Sequence, residues 1–324
     1  CHIFHLAKKI ALFINININL SNNQNASSDH AIAGAVSGFV TRFICQPLDV
    51  VKIRFQLQVE PITHHHVSKY RSLLQALMLI IKEEGHFALW KGHVPAQLLS
   101  VVYGMGQFYS YSVFMKLSNN FSLLDDWRFS TKFLAGAGGG CVATVVSFPF
   151  DTLRTRLVAQ SSNHQVYNGI FHSFSCILRH ESPKALFYGL SPTLLQIAPH
   201  TGLQFAFYGL FTDIYKSNSS ETNINFYNSM IAGATAGTLA KTIVYPFDLS
   251  RKRLQIQGFE HGRKGFGTFF QCKGLLDCLK VTFKVEGIRG LFKGLVPSQL
   301  KAAATTALHF TVYEQALQLM KAMT

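Results

Sequence analysis

The phrase Pro-x-Asp-x-x-basic-x-Arg occurs three times in this chain of 324 residues, beginning at Pro47, Pro149 and Pro246. The copies start 102 and 97 residues apart. Glycines lie thirteen and nine residues before each proline, and an acidic residue followed eight residues later by a glycine comes after each phrase. A pattern that recurs at so regular a distance predicts three copies of one structural unit.

The three units are about 100 residues each, and we divide the chain into repeats at residues 30–120, 128–217 and 226–320. Each repeat has the same order: a small-residue helix, the proline, a charged turn, an amphipathic segment, an aromatic-glycine turn and a second helix. Residues 1–29 lack this pattern and are rich in Ser and Asn towards their end. We interpret them as a non-structural extension.

Charged residues make up only 14% of the chain, against about 25% in ordinary soluble domains. Six stretches of 18–23 residues contain at most one charge each and are long enough to cross a bilayer as helices. They are residues 31–48, 93–115, 133–150, 189–211, 230–247 and 294–312. Polar side chains within them must face a partner or a wet cavity, and small residues at four-residue spacing let helices approach closely. The sequence therefore predicts an all-α membrane protein with six transmembrane helices in a three-fold pseudo-symmetric barrel. A soluble six-helix bundle would need more charges on its outer faces.

The tripled phrase also predicts a gate. A proline within a helix removes a hydrogen bond and crowds the preceding turn, so the three prolines are predicted to kink the odd-numbered helices. An acid and, three residues later, a base follow each proline, and three-fold symmetry lets each acid reach the base of the next repeat. The predicted pairs are Asp49 with Arg154, Asp151 with Arg251, and Asp248 with Lys52. Permanent helix-capping salt bridges are the alternative interpretation.

Cations within the spans predict an anionic cargo, because a charge at membrane depth is costly and is usually functional. Arg42 and Lys241 each lie five residues before their proline, with Thr144 as the polar third equivalent, and Lys301 lies in the last span. Arg suits bidentate phosphate contact and Lys acts as a point charge, so these residues suit a pyrophosphate. Structural pairing, or for Lys301 an extension towards the surface, stays open as an alternative. Four polar side chains could contact the rest of such a solute or be structural: Gln97, Tyr103, His200 and Gln204.

The formal net charge of +14 suits nucleic acid, anionic lipid or an anionic solute. Nucleic acid is disfavoured because no zinc-finger spacing, basic helix or RNA-binding phrase is present. The six cysteines form no CxxC pair, and residues 64–66, three histidines, have no nearby cysteine or carboxylate to complete a metal site. We therefore predict no metal, no cofactor and no enzyme activity, since neither a P-loop nor a nucleophile motif occurs.

The tripled proline phrase, with the acidic-Gly and aromatic-basic-Gly phrase after it, resembles the mitochondrial carrier family over residues 30–320. The resemblance implies three short matrix-side helices, alternating access, a monomer in the mitochondrial inner membrane, and bound cardiolipin at the matrix-side turns. It also implies that Arg42 and the pair Gln196 and Ile197 line the solute site. The residues implied for cardiolipin are Trp90, Lys91, Gly92, Tyr167, Gly169, Gly189, Lys293 and Gly294. Free N–H groups at helix starts favour such anions.

The family's cytosolic gate phrase is degraded in this sequence. The corresponding residues are Tyr111, Tyr208 and Tyr313, and of the acids only Glu314 remains. The second repeat also departs from the pattern, with Ser182 in place of glycine and Tyr188 in place of the basic residue. We therefore expect a cytosolic gate held by packing or hydrogen bonds, and a complete matrix gate.

Residues 52–58, 90–97, 201–205 and 258–263 are similar to family members that carry thiamine pyrophosphate. This similarity implies import of thiamine pyrophosphate into the matrix, in exchange for nucleotides or related phosphates. A nucleotide, deoxynucleotide or coenzyme A carrier stays open, because the same cations would serve. An uncoupling carrier would call for a buried acid in the cavity, and the sequence offers none there.

Overall fold

A computed structural model describes residues 25–59, 69–120, 128–160, 166–218, 226–259 and 271–321. These segments are helical and contain no strand. The histidine run at 64–66 and most of the predicted extension lie outside the described residues. Residues 25–29, which we assigned to that extension, begin the first helix instead.

Each repeat contains a long helix, a short helix, a tight turn and a second long helix. The described helices are α1 (Asn25–Leu57), α2 (Leu73–Glu84), α3 (His93–Asn120), α4 (Arg128–Ala159), α5 (Ile170–His180), α6 (Leu190–Asn218), α7 (Phe226–Gln255), α8 (Leu275–Leu291) and α9 (Leu295–Lys321). Short 3₁₀ turns, His86–Trp90 and Pro183–Phe187, precede α3 and α6. In α8 the backbone breaks at Gly287 (φ 67°), which gives the third repeat the same helix and turn. The tripled sequence pattern therefore becomes a tripled arrangement of helices.

Local sequence explains where the short helices begin and end. Ser72 caps α2 because its hydroxyl accepts a hydrogen bond from the Gln75 N–H at 3.3 Å. The helix buries Ala76 and Ile80, which lie four residues apart on one side. Leu74, near the start of the helix, is 66% exposed. The N–H of Gly85 then closes α2 on the carbonyl of Ile81. The amphipathic segment predicted after each charged turn is thus a short helix with one buried side.

Two compact units make up the chain. The first contains the part of α1 up to Val50 and the chain from Val296 onwards, and the second contains Val51–Leu295. In the first unit, the Ser37 hydroxyl lies 2.9 Å from Nδ1 of His309, and the Thr305 hydroxyl donates to Sγ of Cys45 at 3.5 Å. These contacts join α1 to α9 within that unit.

In the second unit, α3 packs along α4 and α6 along α7. The backbones of α3 and α4 approach each other closely at Gly106 and Gly139, where an added Cβ would lie 3.3 Å from the Ala143 Cα and 3.2 Å from the Tyr111 nitrogen. A Cβ on Gly136 or Gly237, two of the repeated glycines, would meet nothing within 4 Å. Small residues thus permit close packing at these points of the helices.

Each of the six predicted membrane spans falls on one of the long helices. Among the helices in the described segments, none is both long enough and apolar enough to cross a membrane.

Candidate functional site: the charged ring and its cavity

Two of the three predicted acid–base pairs lie within the second unit, and both are formed. Nζ of Lys52 lies 2.7 Å from Oδ2 of Asp248, and Nη2 of Arg251 lies 2.8 Å from Oδ2 of Asp151. Each pair joins two different repeats, as three-fold symmetry requires. The acids are more buried than the bases, at 13% and 4% side-chain exposure against 17% and 21%. The pairs therefore lie in partly dry surroundings, where attraction between charges is stronger than at an open surface.

A glutamine side chain donates a hydrogen bond to each of these two acids. The sequence analysis did not identify this contact. Nε2 of Gln56 donates to Asp248 at 3.1 Å, and Nε2 of Gln255 donates to Asp151 at 2.5 Å. Each glutamine lies four residues after the base of its own phrase, one helical turn away, so it reaches the same acid. A glutamine at the same offset in two repeats is the signal that could have revealed this contact.

A second cation at Asp151 makes the two ion pairs unequal. Nζ of Lys252 lies 3.0 and 2.9 Å from the two carboxylate oxygens of Asp151 and also donates to the Thr155 hydroxyl at 3.0 Å. Asp151 therefore binds two cations, whereas the equivalent of Lys252 in the first repeat is Ile53. The link between the second and third repeats contains more charge-assisted hydrogen bonds than the Lys52–Asp248 link.

The third predicted pair, Asp49 with Arg154, joins residues of the two units and stays a prediction. Within the first unit, Nζ of Lys301 lies 2.6 Å from Oδ1 of Asp49. The sequence analysis assigned these two residues to different roles, Lys301 to the cargo and Asp49 to the gate. The structure places the cargo candidate in contact with the gate acid.

Three glycines bring the turns into close contact with the bases of the charged phrases. Gly92, Gly189 and Gly294 have φ of 75°, 88° and 84°, a region that disfavours side chains. A Cβ on each would lie 3.1, 2.7 and 3.1 Å from the backbone carbonyl oxygens of Arg154, Arg251 and Lys52 respectively. In every case the turn of one repeat touches the base of the next repeat's phrase. Glycine is required here both by its conformation and by the close approach.

The last arginine of each phrase forms a buried pair with the repeated acid. Nη1 of Arg54 lies 2.5 Å from Oε1 of Glu84, and Nη2 of Arg253 lies 2.7 Å from Oε1 of Glu286. Arg156 and Glu181 form the equivalent pair of the second repeat, at 2.5 Å. The arginines are almost fully buried, with side-chain exposures of 1%, 0% and 0%. These pairs fasten each short helix to its long helix.

The second repeat shows what its departure from the pattern changes. Lys91 and Lys293 give Glu84 and Glu286 a second cation, but Tyr188 stands at the equivalent position beside Glu181. The Glu181 side chain is 22% exposed, compared with 6% and 0% for the other two acids. With one basic partner fewer, the carboxylate remains closer to water.

Glu84 lies outside the long helices, and its ionisation is tied to these contacts. Burial opposes its charge, but hydrogen bonds and charge attraction from Arg54 and Lys91 outweigh burial and lower its pKa from 4.5 to about 2. Because the folded-state pKa lies below the unfolded value, the ionised carboxylate stabilises the fold above pH 4.5. That contribution decreases as the pH falls from 4.5 through about 2.

A comparison of wild type with Glu84→Gln therefore tests this contact. We expect the wild type to be the more stable protein at about pH 6, and the difference in unfolding free energy to shrink steadily below about pH 4.5. The measurement is thermal unfolding in detergent across the pH range, and the difference between the two proteins removes the contribution of other acids. A difference that stays constant down to pH 3 would contradict the assignment.

A cavity of 320 Å³ lies beside the ring within the second unit. It contains three predicted solute contacts, Tyr103, Thr144 and Ile197, together with the Asp151–Arg251 pair. The remaining lining residues are Leu99, Ser100, Ser147, Phe148 and Thr193. The Arg251 guanidinium lies 5.6 Å from the centre of the Phe148 ring, so the cavity offers a cation, hydroxyls and aromatic surface together.

Other predicted solute contacts have different surroundings. Arg42 and Lys241 are half-buried, and Gln97 lies 3.3 Å from His93 through their side-chain nitrogens. His200 is half-buried within electrostatic reach of Lys241. Gln196 is half-buried, whereas Gln204 is exposed. Sequence position alone did not distinguish these residues from the three that line the cavity.

The predicted cytosolic gate residues are mostly exposed. Tyr111 and Tyr208 are 37% and 39% exposed, and Glu314 is exposed as well. In the first unit the hydroxyl of Tyr313 lies 2.8 Å from Nδ1 of His30, and the two rings stack with their centres 6.4 Å apart. This contact is a hydrogen bond between aromatic groups and contains no ion pair.

Some side chains predicted to bind lipid point inward. Tyr167 is 5% exposed, stacks on Phe259 with ring centres 4.7 Å apart, and accepts a hydrogen bond from Arg156 at 3.2 Å. Lys293 is 4% exposed and donates to the Gln58 carbonyl at 3.1 Å. Of the others, Trp90 is half-buried and Gly169 (φ 89°) precedes α5. The Tyr167 and Lys293 side chains therefore already have partners within the protein.

Comparison with known proteins identifies the family of this chain. The sequence profile of the family described as "Mitochondrial carrier protein" matches residues 23–122, 125–219 and 222–324. The "Mitochondrial thiamine pyrophosphate carrier" of Homo sapiens is 45% identical over 294 residues, covering 90% of this chain and 91% of that protein. The protein of the same name from Bos taurus is 45% identical over 88% of this chain and 90% of its own length. A fungal relative, "Mitochondrial thiamine pyrophosphate carrier 1" of Phaeosphaeria nodorum, is 38% identical over 90% of this chain and 92% of its own length.

Proposed function

The chain belongs to the mitochondrial carrier family, and we propose from this membership that it imports thiamine pyrophosphate across the mitochondrial inner membrane. Membership makes the protein a transporter rather than an enzyme. The observation that supports the cargo is the 45% identity, over 90% of the chain, to a carrier named for thiamine pyrophosphate. Related fungal proteins with the same cargo in their names support it further.

We propose that the six long helices of the described segments cross that membrane. Large apolar side chains are exposed along them, including Met105 (64%), Phe108 (77%), Phe205 (71%) and Phe310 (63%). Such surfaces suit lipid better than water. The gate residues Lys52, Asp248, Asp151 and Arg251 are instead held in ion pairs with at most 21% side-chain exposure, as membrane burial requires.

The mechanism that we propose is alternating access with the charged ring as the matrix gate. The pairs Lys52–Asp248 and Asp151–Arg251 hold the repeats together when the gate is closed and separate when the cargo passes. Partly exposed pairs of this kind contribute roughly 1 kcal/mol each, so binding of the cargo can offset their loss. Exchange for nucleotides or related phosphates is part of the same proposal.

In this proposal the cargo binds in the cavity beside this gate. Arg251 would attract the phosphates, while Tyr103, Phe148 and Ile197 would pack against a flat ring. Lys241 would add positive charge from its position five residues before Pro246. Because a bound pyrophosphate competes with Asp151 for Arg251, cargo binding would weaken the gate at the moment of transport.

Cardiolipin and a monomeric state complete the proposal. The turns at Gly92, Gly189 and Gly294 precede α3, α6 and α9. The N–H groups at the starts of these helices favour phosphate. Burial of Lys293 and Tyr167 means that the backbone rather than these side chains would bind the headgroup.

The experiment that tests the cargo is reconstitution of the full chain into liposomes. Uptake of labelled thiamine pyrophosphate is compared with uptake of ADP, dATP and coenzyme A, with protein-free liposomes as the background. We expect the thiamine ester to enter fastest. Transport of coenzyme A or nucleotides without the thiamine ester would replace this proposal with the nucleotide or coenzyme A carrier.

Arg42→Ala tests the role of the cation nearest the gate in the first repeat. We expect uptake to fall by at least about tenfold, because a charge-assisted phosphate contact contributes about 1.5–3 kcal/mol. Thermal stability in detergent with cardiolipin should change little. The matched control is Arg179→Ala, since Arg179 is an exposed arginine at the end of α5. Equal loss of stability and transport in Arg42→Ala would indicate a structural residue.

A further inference from the structure

Two cysteines of the third repeat lie together where the short helix begins. Cys272 is in the turn before α8 and Cys278 is in the first turn of that helix. Their thiols hydrogen-bond to each other and pack against Leu254 and Val281. Both side chains are buried, at 7% and 0% exposure.

The other repeats show that packing does not require thiols at these positions. Cys272 lies three residues before its short helix, as do Tyr70 and Tyr167, whose hydroxyls contact Arg54 and Arg156. Cys278 occupies the equivalent of the buried Ala76 and Ser173. A tyrosine and a small residue in two repeats are therefore replaced by a pair of cysteines in the third.

The pair borders a cavity on one side. Cys272 lines a cavity of 630 Å³ with Gln257, Lys273 and Asp277, whereas Cys278 lies behind it and lacks exposure. The hydrogen bond between the thiols, together with burial, raises the pKa of Cys272. The same hydrogen bond and the nearby Arg253 guanidinium lower the pKa of Cys278 against the effect of burial. Cys278 is thus the more acidic thiol and Cys272 the one beside the cavity, and the two form a dithiol at the edge of a space that admits a small oxidant.

We propose that Cys272 and Cys278 form a redox modification site, which hydrogen peroxide converts to a disulfide. Peroxide that enters the cavity oxidises one of the two thiols to a sulfenic acid as one water leaves. The sulfur of the other cysteine then attacks the oxidised sulfur and displaces the second water. The two thiols lose two electrons and two protons in forming the S–S bond, and peroxide takes up both to become two waters.

The structure allows the bond to form with a small movement. The two thiols already hydrogen-bond to each other, and a disulfide needs a sulfur–sulfur separation of about 2 Å. Cys272 lies outside the helix, so its turn can shift while α8 stays in place. The contacts that hold this turn are a hydrogen bond from Gln257 to the Cys272 carbonyl at 2.8 Å and one from the Lys273 N–H to Asp277 at 2.9 Å.

The test is mass spectrometry of the full-length protein in detergent, treated with hydrogen peroxide, alkylated and digested with trypsin without reduction. Cleavage after Lys273 and Lys280 separates the two cysteines, so the disulfide would link peptides 265–273 and 274–280. We expect this linked pair, lighter by two hydrogens than its components, and expect dithiothreitol to release it. Cys272→Ser and Cys278→Ser should each abolish the linked pair and leave the remaining cysteine as a sulfenic acid that dimedone labels.

Cys176 is the internal control, because it lies partly exposed in α5 with its sulfur 3.6 Å from Nε2 of His172. The proposal is overturned if both Cys272 and Cys278 stay open to alkylation at a peroxide dose that oxidises Cys176. It is also overturned if Cys272 proceeds to a sulfinic acid without linkage, or if the linked peptides contain a different cysteine.

Discussion

Glu286→Gln is expected to destabilise the folded protein by about 3 kcal/mol or more, since it removes one member of a buried ion pair. Glu286 and Arg253 both have 0% side-chain exposure, and Lys293 contacts the same carboxylate. A neutral amide at this position leaves two buried cations without the charge that compensates them. Because the pair fastens α8 to α7, we expect unfolding to begin at a lower temperature in detergent. The measurement is the thermal midpoint and the denaturant dependence of unfolding.

Glu83→Gln is the matched control for this substitution. Glu83 is 42% exposed and pairs with Lys69 at 2.6 Å, a surface contact that contributes about 0–1 kcal/mol. The chemical change is identical, but only the buried carboxylate is expected to matter. Similar stability in the two variants would mean that the Arg253–Glu286 contact does not hold the third repeat together.

Gly189→Ala is expected to weaken both stability and transport. Gly189 has φ of 88°, which costs a residue with a side chain about 1–2 kcal/mol. The new Cβ would also lie 2.7 Å from the Arg251 carbonyl oxygen, so the backbone of α7 would have to move. Since Arg251 is the base that pairs with Asp151, this movement would disturb the gate itself. Liposome uptake and thermal unfolding measure the two effects.

Gly209→Ala is the control, because Gly209 lies within α6, the helix that Gly189 directly precedes. A Cβ on Gly209 would meet nothing within 4 Å, and alanine favours a helix over glycine by up to about 1 kcal/mol. We expect this variant to be as stable as the wild type or more so. If Gly189→Ala also leaves uptake and stability unchanged, the close contact between turn and gate does not constrain the protein.

Much of this arrangement could be predicted because the sequence repeats. Three copies of one phrase fix which residues are equivalent, so the pairing of Asp151 with Arg251 and of Asp248 with Lys52 follows from symmetry without knowledge of the fold. The short helices could be predicted from local signals such as the Ser72 cap and the buried Ala76 and Ile80 of α2.

Other features could not be read from the sequence because they depend on which way side chains turn in the packed protein. Arg54 and Glu84 are both tripled and oppositely charged, yet nothing in their spacing of 30 residues says that they meet. The additional contact of Lys252 with Asp151 breaks the symmetry on which the prediction relied. Lys301 illustrates the same limit, since its position in a span suggested the cargo and its partner is Asp49.

The sequence by itself determined the three repeats, the helices within each, and the residues that are equivalent between repeats, because periodicity and local chemistry are properties of the chain. Tertiary structure decided the further pairing of Lys252, Lys301 and the buried arginines, where the cavity lies, and which two thiols of the third repeat come together. These features depend on distances between segments far apart in sequence, and those distances are set only when the helices pack.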